Sequence, residues 1–587
     1  MRPFKALWSL CLGIVCFHSA LAAPSLPLHT QGRSIVDAEG QHFKLKSVNW
    51  YGSHLERQVP EGLDKQSLAH IISLIQTWGF NSVRLPFSNA MLRDPKPVDP
   101  KWLTSNPELQ GRNALEVFDA TVRALTDAGI YVILNNHSTY SQWCCSYDAN
   151  GLWHHSGQGV PFALSVDDWE QDWLALVKRY QHNPLVIGVD LRNEVRTQKL
   201  GATILPVSPN WGSEDANDWH KAAESLGRKV LDLNPELLII VEGINWWGTL
   251  PILGSGERPQ LKPVRSLPIR LQRPDKLIYA AHHYGYIGPR NNGDAKTSGS
   301  NPNYCSLDEA TYLRTIEDDW AFILQTEQYV TAPLWISEFG VGWGEQDECQ
   351  RRWFARFAKV LLEKDIDFAY WPLNPDSFGL VQDDWSQIRN DDWRTPILES
   401  LLKTPPRPTQ AEALFRQLSM DHGDDNQSSR KDDWLAGARK ATCPDGLRML
   451  GLSRDLHGLC SDIGGRLESD TKIPSTVVAV DEQEQRPHTG QDWAKDFTKY
   501  ECPLGTYVKG FSKHSWGLSG VLCAPSLKPL GQECYTLWFD RGDQRRSQKG
   551  GDWAKASYKG QCADLEYVAG LAQRDGRAAA LLCCSSP

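Results

Sequence analysis

The chain has 587 residues, more than one hydrophobic core organises, so two or three domains are expected. Its hydrophobic content of 41% and its charged content of 23% are those of an ordinary globular protein. The net charge of −9, without any basic run, argues against a protein that binds nucleic acid.

The first residues have the features of a secretory signal peptide. Arg2 and Lys5 give a positive start, and residues 6–17 are apolar but too few to span a bilayer. Residues 20–22, Ala-Leu-Ala, fit the small-x-small rule for cleavage. We therefore predict a signal peptide over residues 1–22 and a secreted, soluble mature chain without a membrane span.

From residue 43 to about 402, short β-rich runs alternate with longer amphipathic stretches. The strands are predicted at 43–50, 82–87, 131–137, 186–194, 237–243, 277–284, 334–338 and 368–373, and the helices at 67–78, 114–128, 169–180, 218–231, 307–325, 348–362 and 396–402. Such alternation predicts an α/β domain, a (β/α)8 TIM barrel over residues 23–402. An open doubly wound sheet is the alternative, but no Gly-rich phosphate loop follows the first strand.

A Pro-rich linker is predicted over residues 403–410, and three repeats follow it. Trp434, Trp493 and Trp553 each follow an Asp and each lie nine residues before a cysteine, with a period of 59–60 residues. Matched units of this kind predict a smaller, closed all-β domain with pseudo-threefold symmetry over residues 411–587.

The cysteines also separate the two parts of the chain. Without Cys11 and Cys16 of the signal peptide twelve remain, and an even number in a secreted protein predicts disulfides. We expect Cys144 and Cys145 to staple loops, through Cys305 or Cys349. The repeats suggest the pairs Cys443–Cys460, Cys502–Cys523 and Cys562–Cys583, leaving Cys534 and Cys584 for each other, although eight cysteines allow 105 connectivities.

Two glutamates end apolar runs that are predicted strands. Glu194 closes the run 186–194, and Glu338 follows Leu-Trp-Ile-Ser at 334–337. A carboxylate directly after buried strand residues is costly unless something uses it. Two of them at the mouth of one barrel form the pair that glycosidic bond cleavage needs. The alternative is a pair of salt-bridged structural glutamates.

Further polar and aromatic residues fall at the ends of other predicted strands, where catalytic residues of this fold cluster. They are Arg84, His137, His282, Tyr284 and Trp371. His282 is followed by a second histidine, His283, and the His-x-Tyr spacing favours His282 as the residue that acts.

These motifs resemble glycoside hydrolase family 5, a family of retaining (β/α)8 barrels, over roughly residues 40–402. The most specific matches are Arg192-Asn193-Glu194 and Ser337-Glu338-Phe339-Gly340. The segment 136–151, with Trp-Cys-Cys-Ser at 143–146, resembles a cellulase branch of the family. The pocket set of the family matches at Arg84, His137, Asn193, Glu194, His282, Tyr284, Glu338 and Trp371.

The resemblance implies roles for these residues. Glu338 would be the nucleophile and Glu194 the acid/base of a double displacement. Arg84 and Tyr284 would keep Glu338 ionised, while the pKa of Glu194 would be raised. The other implied roles are supporting ones: Asn193 at the sugar 2-hydroxyl, Trp371 beneath that sugar, and His137 and His282 beside the carboxyl groups. No metal and no organic cofactor is implied.

The leading hypothesis is a secreted retaining β-glycosidase, an endo-β-glucanase, with an oligo- or polysaccharide as its partner and a monomer as its state. An exo-β-glucosidase, a β-mannanase or a glycolipid glycosidase of the same family is an alternative, and an inactive carbohydrate-binding surface protein is one from another class. The repeats resemble the three-sided β-prism of the vitelline membrane outer layer protein. They predict either a glycan-binding domain or a purely structural one.

Loop aromatics are expected to divide evenly between sugar subsites and rings that cap the barrel. They are Tyr140, Trp143, Trp153, Trp211, Trp246, Trp247 and Trp343.

Overall fold

The computed structural model describes residues 23–585 except 202, 204, 249–255, 292–300, 410, 428–432, 468, 470–472 and 480–487. The predicted signal peptide, residues 1–22, lies outside the described residues. Within the described ranges, no helix has the length and apolar character needed to cross a membrane.

Eight parallel strands close into a barrel in chain order, which confirms the predicted fold class. Their side chains are almost all buried, because one face looks into the barrel and helices cover the other. The strands are β1 Lys46–Asn49, β2 Ser82–Ser88, β3 Tyr131–Ser138, β4 Val186–Asp190, β5 Leu238–Glu242, β6 Leu277–His282, β7 Leu334–Phe339 and β8 Asp367–Tyr370.

The helices form the outer ring, and most begin after a polar residue whose side chain accepts a backbone N–H, as at Asn113 and Ser165. The predicted helix 307–325 is shorter, because the observed helix ends at Asp319 and a 3₁₀ turn follows at Ala321–Leu324. The helices are α1 Leu68–Trp78, α2 Asn89–Arg93, α3 Ala114–Asp127, α4 Val166–Tyr180, α5 Trp219–Leu233, α6 Glu309–Asp319, α7 Glu348–Glu363 and α8 Thr395–Lys403.

Several strands end earlier than the sequence predicts, and two of these differences matter at the barrel mouth. Strand β4 stops at Asp190, so Glu194 lies beyond the ladder, with a positive φ of 43°. Strand β6 stops at His282, where its register with β7 shifts at an irregularity between Ala281 and His282. Such irregularities turn side chains in a new direction.

After α8, the chain forms three sheets, each built around an antiparallel hairpin. A strand of repeat one joins the hairpin of repeat two, a strand of repeat two joins that of repeat three, and a strand of repeat three joins that of repeat one. This cyclic exchange is the closed threefold arrangement that the repeats predict. The exact domain boundaries stay a prediction.

The strands of this β domain, in chain order, are β9 Phe415–Leu418, β10 Asp425–Asn426, β11 Arg439–Thr442, β12 Arg448–Ser453, β13 Gly458–Ser461, β14 Thr476–Ala479, β15 Thr498–Glu501, β16 Thr506–His514, β17 Gly517–Pro525, β18 Cys534–Trp538, β19 Gln544–Arg545, β20 Lys559–Gln561, β21 Glu566–Arg574 and β22 Arg577–Ser585. The three hairpins are β12–β13, β16–β17 and β21–β22.

The repeated residues belong to the interior of the β domain. Trp553 is fully buried and Trp493 nearly so. A lysine six residues after each repeated tryptophan turns inward, where its ammonium group meets loop carbonyls and an aspartate; sequence analysis missed this feature. The lysines are Lys440, Lys499 and Lys559.

The disulfides confirm one prediction and correct another. All four pairs predicted for the β domain form. The prediction that Cys144 and Cys145 staple loops through Cys305 or Cys349 is wrong, since they pair with each other and Cys305 pairs with Cys349. The reason is position: Cys144 and Cys145 lie beside Asn193 in the pocket, whereas Cys349 lies at the start of α7 and its partner Cys305 in a 3₁₀ turn at Tyr304–Ser306.

Candidate active site

A cavity of about 350 Å³ opens at the carboxyl ends of the barrel strands. Six of the eight predicted site residues line it: His137, Asn193, Glu194, Tyr284, Glu338 and Trp371. The other two, Arg84 and His282, are buried directly beneath and contact the two glutamates. The structure therefore brings all eight together.

The two predicted catalytic glutamates face one another across His282. A carboxylate oxygen of Glu194, one of Glu338 and a ring nitrogen of His282 all lie within 4.8 Å of one another. His282 Nδ1 is 2.8 Å from Glu194 Oε1 and 3.4 Å from Glu338 Oε2. Carboxyl groups this close suit a double displacement, since inverting enzymes separate them by about 6.5–9.5 Å to admit a water.

Glu338 is oriented from two sides. Arg84 Nη1 donates to its Oε1 at 2.6 Å, and the Tyr284 hydroxyl donates to its Oε2 at 3.0 Å. Both partners are buried, so these contacts are little screened by water. They fix the carboxylate with an oxygen toward the cavity.

Arg84 pairs with more carboxylates than the sequence analysis predicts. Its guanidinium also contacts Asp190 at 2.7 Å and Glu242 at 3.0 Å. Its remaining bonds go to the amide oxygens of Asn49 and Asn193. The Arg84 side chain is 0% exposed, and a buried cation requires such a complete set of partners.

The predicted order of pKa values is wrong for the free pocket. Burial would raise the pKa of Glu194, but the hydrogen bond and the charge of His282 lower it to about 2. Burial raises the pKa of Glu338, against the opposing charges of His282 and Arg84. Burial lowers the pKa of His282, yet Glu242 and Glu338 raise it to about 10. These shifts favour an ionised Glu194 beside a charged imidazolium at His282 in the free pocket.

Sequence analysis missed two buried carboxylates in this network, Asp190 and Glu242. Each is the last residue of its strand. Glu242 ends the run Leu-Leu-Ile-Ile-Val, the same signal that singled out Glu194. The family pocket set that the resemblance implies has no residue at this strand end.

The floor of the cavity is aromatic. The Trp371 ring stacks with Tyr51, at 5.4 Å and 18°, and with His137, at 5.6 Å and 13°. The exposed Trp143 packs edge-on against Tyr51 at 5.3 Å. Burial and the neighbouring His54 and Arg84 hold the pKa of His137 well below its usual range, so the ring is neutral.

His283 points away from the cavity. It is buried among aromatic rings, and one ring nitrogen lies 2.9 Å from the Tyr312 hydroxyl. Burial holds its pKa well below the usual range. His282 is thus the histidine that meets the carboxylates.

The loop aromatics divide among the cavity, the core and the surface, and their predicted role as sugar subsites stays a prediction. Trp143 and Trp246 line the cavity. Tyr140 and Trp153 are buried in the barrel core, Trp211 is half-buried against His220, and Trp247 and Trp343 are exposed outside the cavity lining.

Asn193 lies between Arg84, which binds Glu338, and the Cys144–Cys145 disulfide. Its side-chain oxygen accepts from Arg84 at 2.7 Å, which leaves the NH₂ group directed at the two sulfurs, at 3.3 and 3.5 Å. Arg192, of the same motif, is fully buried and anchors the loop at Asn150 and Leu152 instead of facing the cavity.

The sequence is similar to known glycosidases along most of the barrel. It is 29% identical over 421 residues to an endoglucanase of Paenibacillus polymyxa, covering 68% of this chain and 94% of that protein. It is also 29% identical over 427 residues to the major extracellular endoglucanase of Xanthomonas campestris pv. campestris, covering 70% and 78%.

The fold is also similar to solved structures of such enzymes. The catalytic domain of the Xanthomonas campestris enzyme gives a TM-score of 0.52 at 29% identity and covers 64% of this chain and all of that one. A cellotetraose complex of an endocellulase from Pyrococcus horikoshii gives 0.51 at 25% identity, covering 65% of this chain and 100% of that one. The family model described as Cellulase (glycosyl hydrolase family 5) matches residues 36–377, more than half of the chain. This chain therefore belongs to glycosyl hydrolase family 5.

Proposed function

We propose that this chain is a retaining endo-β-1,4-glucanase, with Glu338 as nucleophile and Glu194 as acid/base. The observation that carries the proposal is the approach of the two carboxylates to within 4.8 Å at the mouth of the barrel. At this separation one carboxylate reaches the anomeric carbon while the other reaches the leaving oxygen.

In the first step, a Glu338 oxygen bonds to the anomeric carbon as the bond from that carbon to the leaving oxygen breaks. The leaving oxygen takes a proton from Glu194. In the second step, water bonds to the anomeric carbon, Glu194 takes a proton from that water, and the Glu338 ester bond breaks. Two inversions give a product that keeps the β configuration.

Glu194 and His282 hold the proton of the first step between them. His282 Nδ1 lies 2.8 Å from Glu194 Oε1, close enough for the proton to pass between them. As Glu338 bonds to the sugar its negative charge disappears, and His282 loses a counter-ion at 3.4 Å. That loss favours transfer of the proton to Glu194 and on to the leaving oxygen. The two groups therefore titrate as a pair.

Endo action is supported by the mouth of the cavity and by the relatives. Trp143, 54% exposed, and Tyr286, 41% exposed, line the mouth and extend the contact surface beyond one sugar. The relatives are named endoglucanases, and a structural neighbour binds cellotetraose.

A product analysis on soluble cellulose tests this proposal. We expect a rapid fall in viscosity and a mixture of short oligosaccharides. Release of glucose alone would indicate an exo enzyme, and hydrolysis of mannan without hydrolysis of glucan would indicate a mannanase. Binding without turnover on any glycan would favour the inactive carbohydrate-binding protein.

We propose further that residues 23–402 are the catalytic domain of a secreted enzyme and residues 411–587 a second domain. Secretion is supported by the disulfides, which persist in oxidising compartments, and by the extracellular relative of Xanthomonas campestris. Export is expected to leave a mature N-terminus at Ala23, which N-terminal sequencing of the secreted protein checks.

We propose a glycan-binding role for one end of the β domain. Trp516 is 51% exposed, Tyr558 44% and Trp538 38%, and we call these three rings the ring face. Two of these rings stand beside a polar side chain: the Arg454 guanidinium lies 6.0 Å from the Tyr558 ring centre, and the His514 ring lies 5.6 Å from that of Trp516. Isolated rings beside hydrogen-bond donors suit a sugar chain, with its apolar ring faces and its hydroxyl edges.

The turns of the hairpins bring the ring face together. A Cβ atom on Gly576, in the β21–β22 turn, would lie 2.6 Å from the Trp516 carbonyl, so the two turns touch. Phe497 packs against Trp538 with ring centres 5.0 Å apart, and the Arg574 guanidinium lies 3.8 Å from the Phe497 ring centre. The rings therefore share one end of the domain.

Replacing Trp516 and Trp538 by alanine should weaken binding to insoluble cellulose at least about tenfold, because exposed rings dominate such contacts. The measurement is depletion of a Glu338→Ala protein, which does not degrade the matrix. Activity of the double variant on soluble glucan should stay within about twofold of wild type, since the rings lie on the other domain.

Leu504→Ala is the matched control, because Leu504 is 52% exposed and lies just before β16, at the opposite end of that hairpin from Trp516. Unchanged binding of the double variant, or equal weakening by Leu504→Ala, would leave the β domain with a structural role only.

A further inference from the structure

We infer that Glu242 is a positioning residue for acid/base catalysis. Its single carboxylate contacts both the backbone of Glu194 and the imidazole of His282 and so fixes their positions relative to each other. This inference rests on the proposed retaining mechanism. Glu242 ends β5, is 3% exposed, and is absent from the residue set that the family resemblance implies.

The first contact is with the backbone of the acid/base. The N–H of Glu194 donates to Glu242 Oε2 at 2.9 Å. Glu194 has a φ of 43°, in the left-handed region that residues other than glycine rarely adopt. Such a conformation persists only where neighbouring groups fix it. A side chain on the next strand thus sets the direction in which the Glu194 carboxylate leaves the backbone.

The second contact is with His282, the residue that shares the proton with Glu194. His282 Nε2 lies 3.3 Å from Glu242 Oε1, and among the described residues Nε2 has no hydrogen-bond partner. Glu242 is therefore the counter-ion on that side of the ring. Its negative charge favours the imidazolium, which leaves Nδ1 protonated and directed at Glu194.

The third contact joins both to the nucleophile. Arg84 Nη2 lies 3.0 Å from the same Oε1 atom, and Arg84 Nη1 binds Glu338. Glu242 thus touches the residue that orients the nucleophile as well as the two that deliver the proton. Asp190 also binds Arg84, at 2.7 Å, but its other hydrogen bond comes from Asn135 and not from Glu194 or His282.

Glu242→Gln tests the inference, because glutamine keeps the size and one acceptor but removes the charge. We expect kcat on cellotetraose to fall about tenfold to a hundredfold with KM nearly unchanged, the range for loss of positioned proton transfer. The loss should be much smaller on an aryl β-glucoside or cellobioside whose leaving group needs no proton. The basic limb of the pH profile should move to lower pH, since His282 loses an anion.

Two variants complete the test. Glu242→Asp keeps the charge, so its basic limb should stay near the wild-type pH even where activity falls. Asp190→Asn removes a buried carboxylate that is hydrogen-bonded to Arg84 and Asn135 but to neither Glu194 nor His282, so its losses on the two substrates should be nearly equal. Thermal unfolding of each variant identifies any loss of activity that comes from misfolding. If Glu242→Gln misfolds, the test is the comparison of Glu242→Asp with the wild-type protein on the two substrates.

Equal losses on both substrates for Glu242→Gln, with an unmoved basic limb, would overturn the inference. So would a Glu242→Asp protein whose basic limb moves as far down as that of Glu242→Gln. A wild-type protein without activity on any β-glucan or aryl β-glucoside would instead overturn the proposed function itself.

Discussion

Glu338→Ala is expected to lower kcat/KM on soluble β-glucan by about 10⁴-fold or more, a loss comparable to removal of other catalytic nucleophiles. The physical reason is that no other carboxylate reaches the same position: Arg84 and Tyr284 aim Glu338 at the cavity from two sides, at 2.6 and 3.0 Å. Initial rates on a soluble substrate, normalised to folded protein, measure the effect.

Azide separates the two glutamates. It fills the space left in Glu338→Ala and attacks from the nucleophile side, which should restore turnover of an activated β-glucoside and give an α-glycosyl azide. In Glu194→Ala the Glu338 ester still forms, so azide should give the β product. A β-glycosyl azide from Glu338→Ala would contradict the assignment of the nucleophile.

Arg84→Met is expected to lower the free energy of unfolding by about 3–5 kcal/mol, the cost of leaving buried charges without a partner. Arg84 contacts Asp190, Glu242 and Glu338 at once, so three carboxylates lose their shared cation. Thermal and denaturant unfolding measure the loss of stability. No comparable loss is expected from exposed arginines.

The pH dependence of catalysis by Arg84→Met should also change, because the variant lacks the positive charge beside Glu338. Removal of a cation raises the pKa of a nearby carboxyl group, and Glu338 must be ionised to attack. The acid limb of kcat/KM should therefore move up by about one pH unit or more. The limb would stay in place if Arg84 had only a structural role.

Arg394→Met is the matched control for Arg84→Met. Arg394 is also fully buried and paired with a carboxylate, Asp392, but it binds carbonyls of Phe378 and Gly379 outside the cavity. It should lower stability without moving the acid limb. A shift of equal size in both variants would show that the limb reports folding and not the nucleophile.

Much of the fold follows from local patterns. The eight barrel strands are apolar runs of a length that a parallel sheet buries, so all eight are predictable. The threefold domain follows from spacing alone, because Trp434, Trp493 and Trp553 recur with their cysteines in step. Strand ends were less predictable: Glu194 lies beyond its strand because the chain leaves the ladder after Asp190.

The site was predictable as a set of residues but not as a charge distribution. Strand ends converge in a barrel, so the sequence places Glu194, Glu338 and His282 near one another. Which of them holds the proton depends on ångström-scale distances, and His282 proved to be 2.8 Å from Glu194. The Cys144–Cys145 disulfide was equally unpredictable from the sequence, since the partner of a cysteine depends on how the loops fold.

The anomer of the first product tests the central claim most directly. Proton NMR of the wild-type enzyme acting on a cellooligosaccharide follows the newly formed reducing end before it mutarotates. A double displacement through Glu338 and Glu194, whose oxygens lie within 4.8 Å, predicts that the β anomer appears first and the α anomer follows by mutarotation. Initial release of the α anomer would show a single displacement by water and would contradict the account.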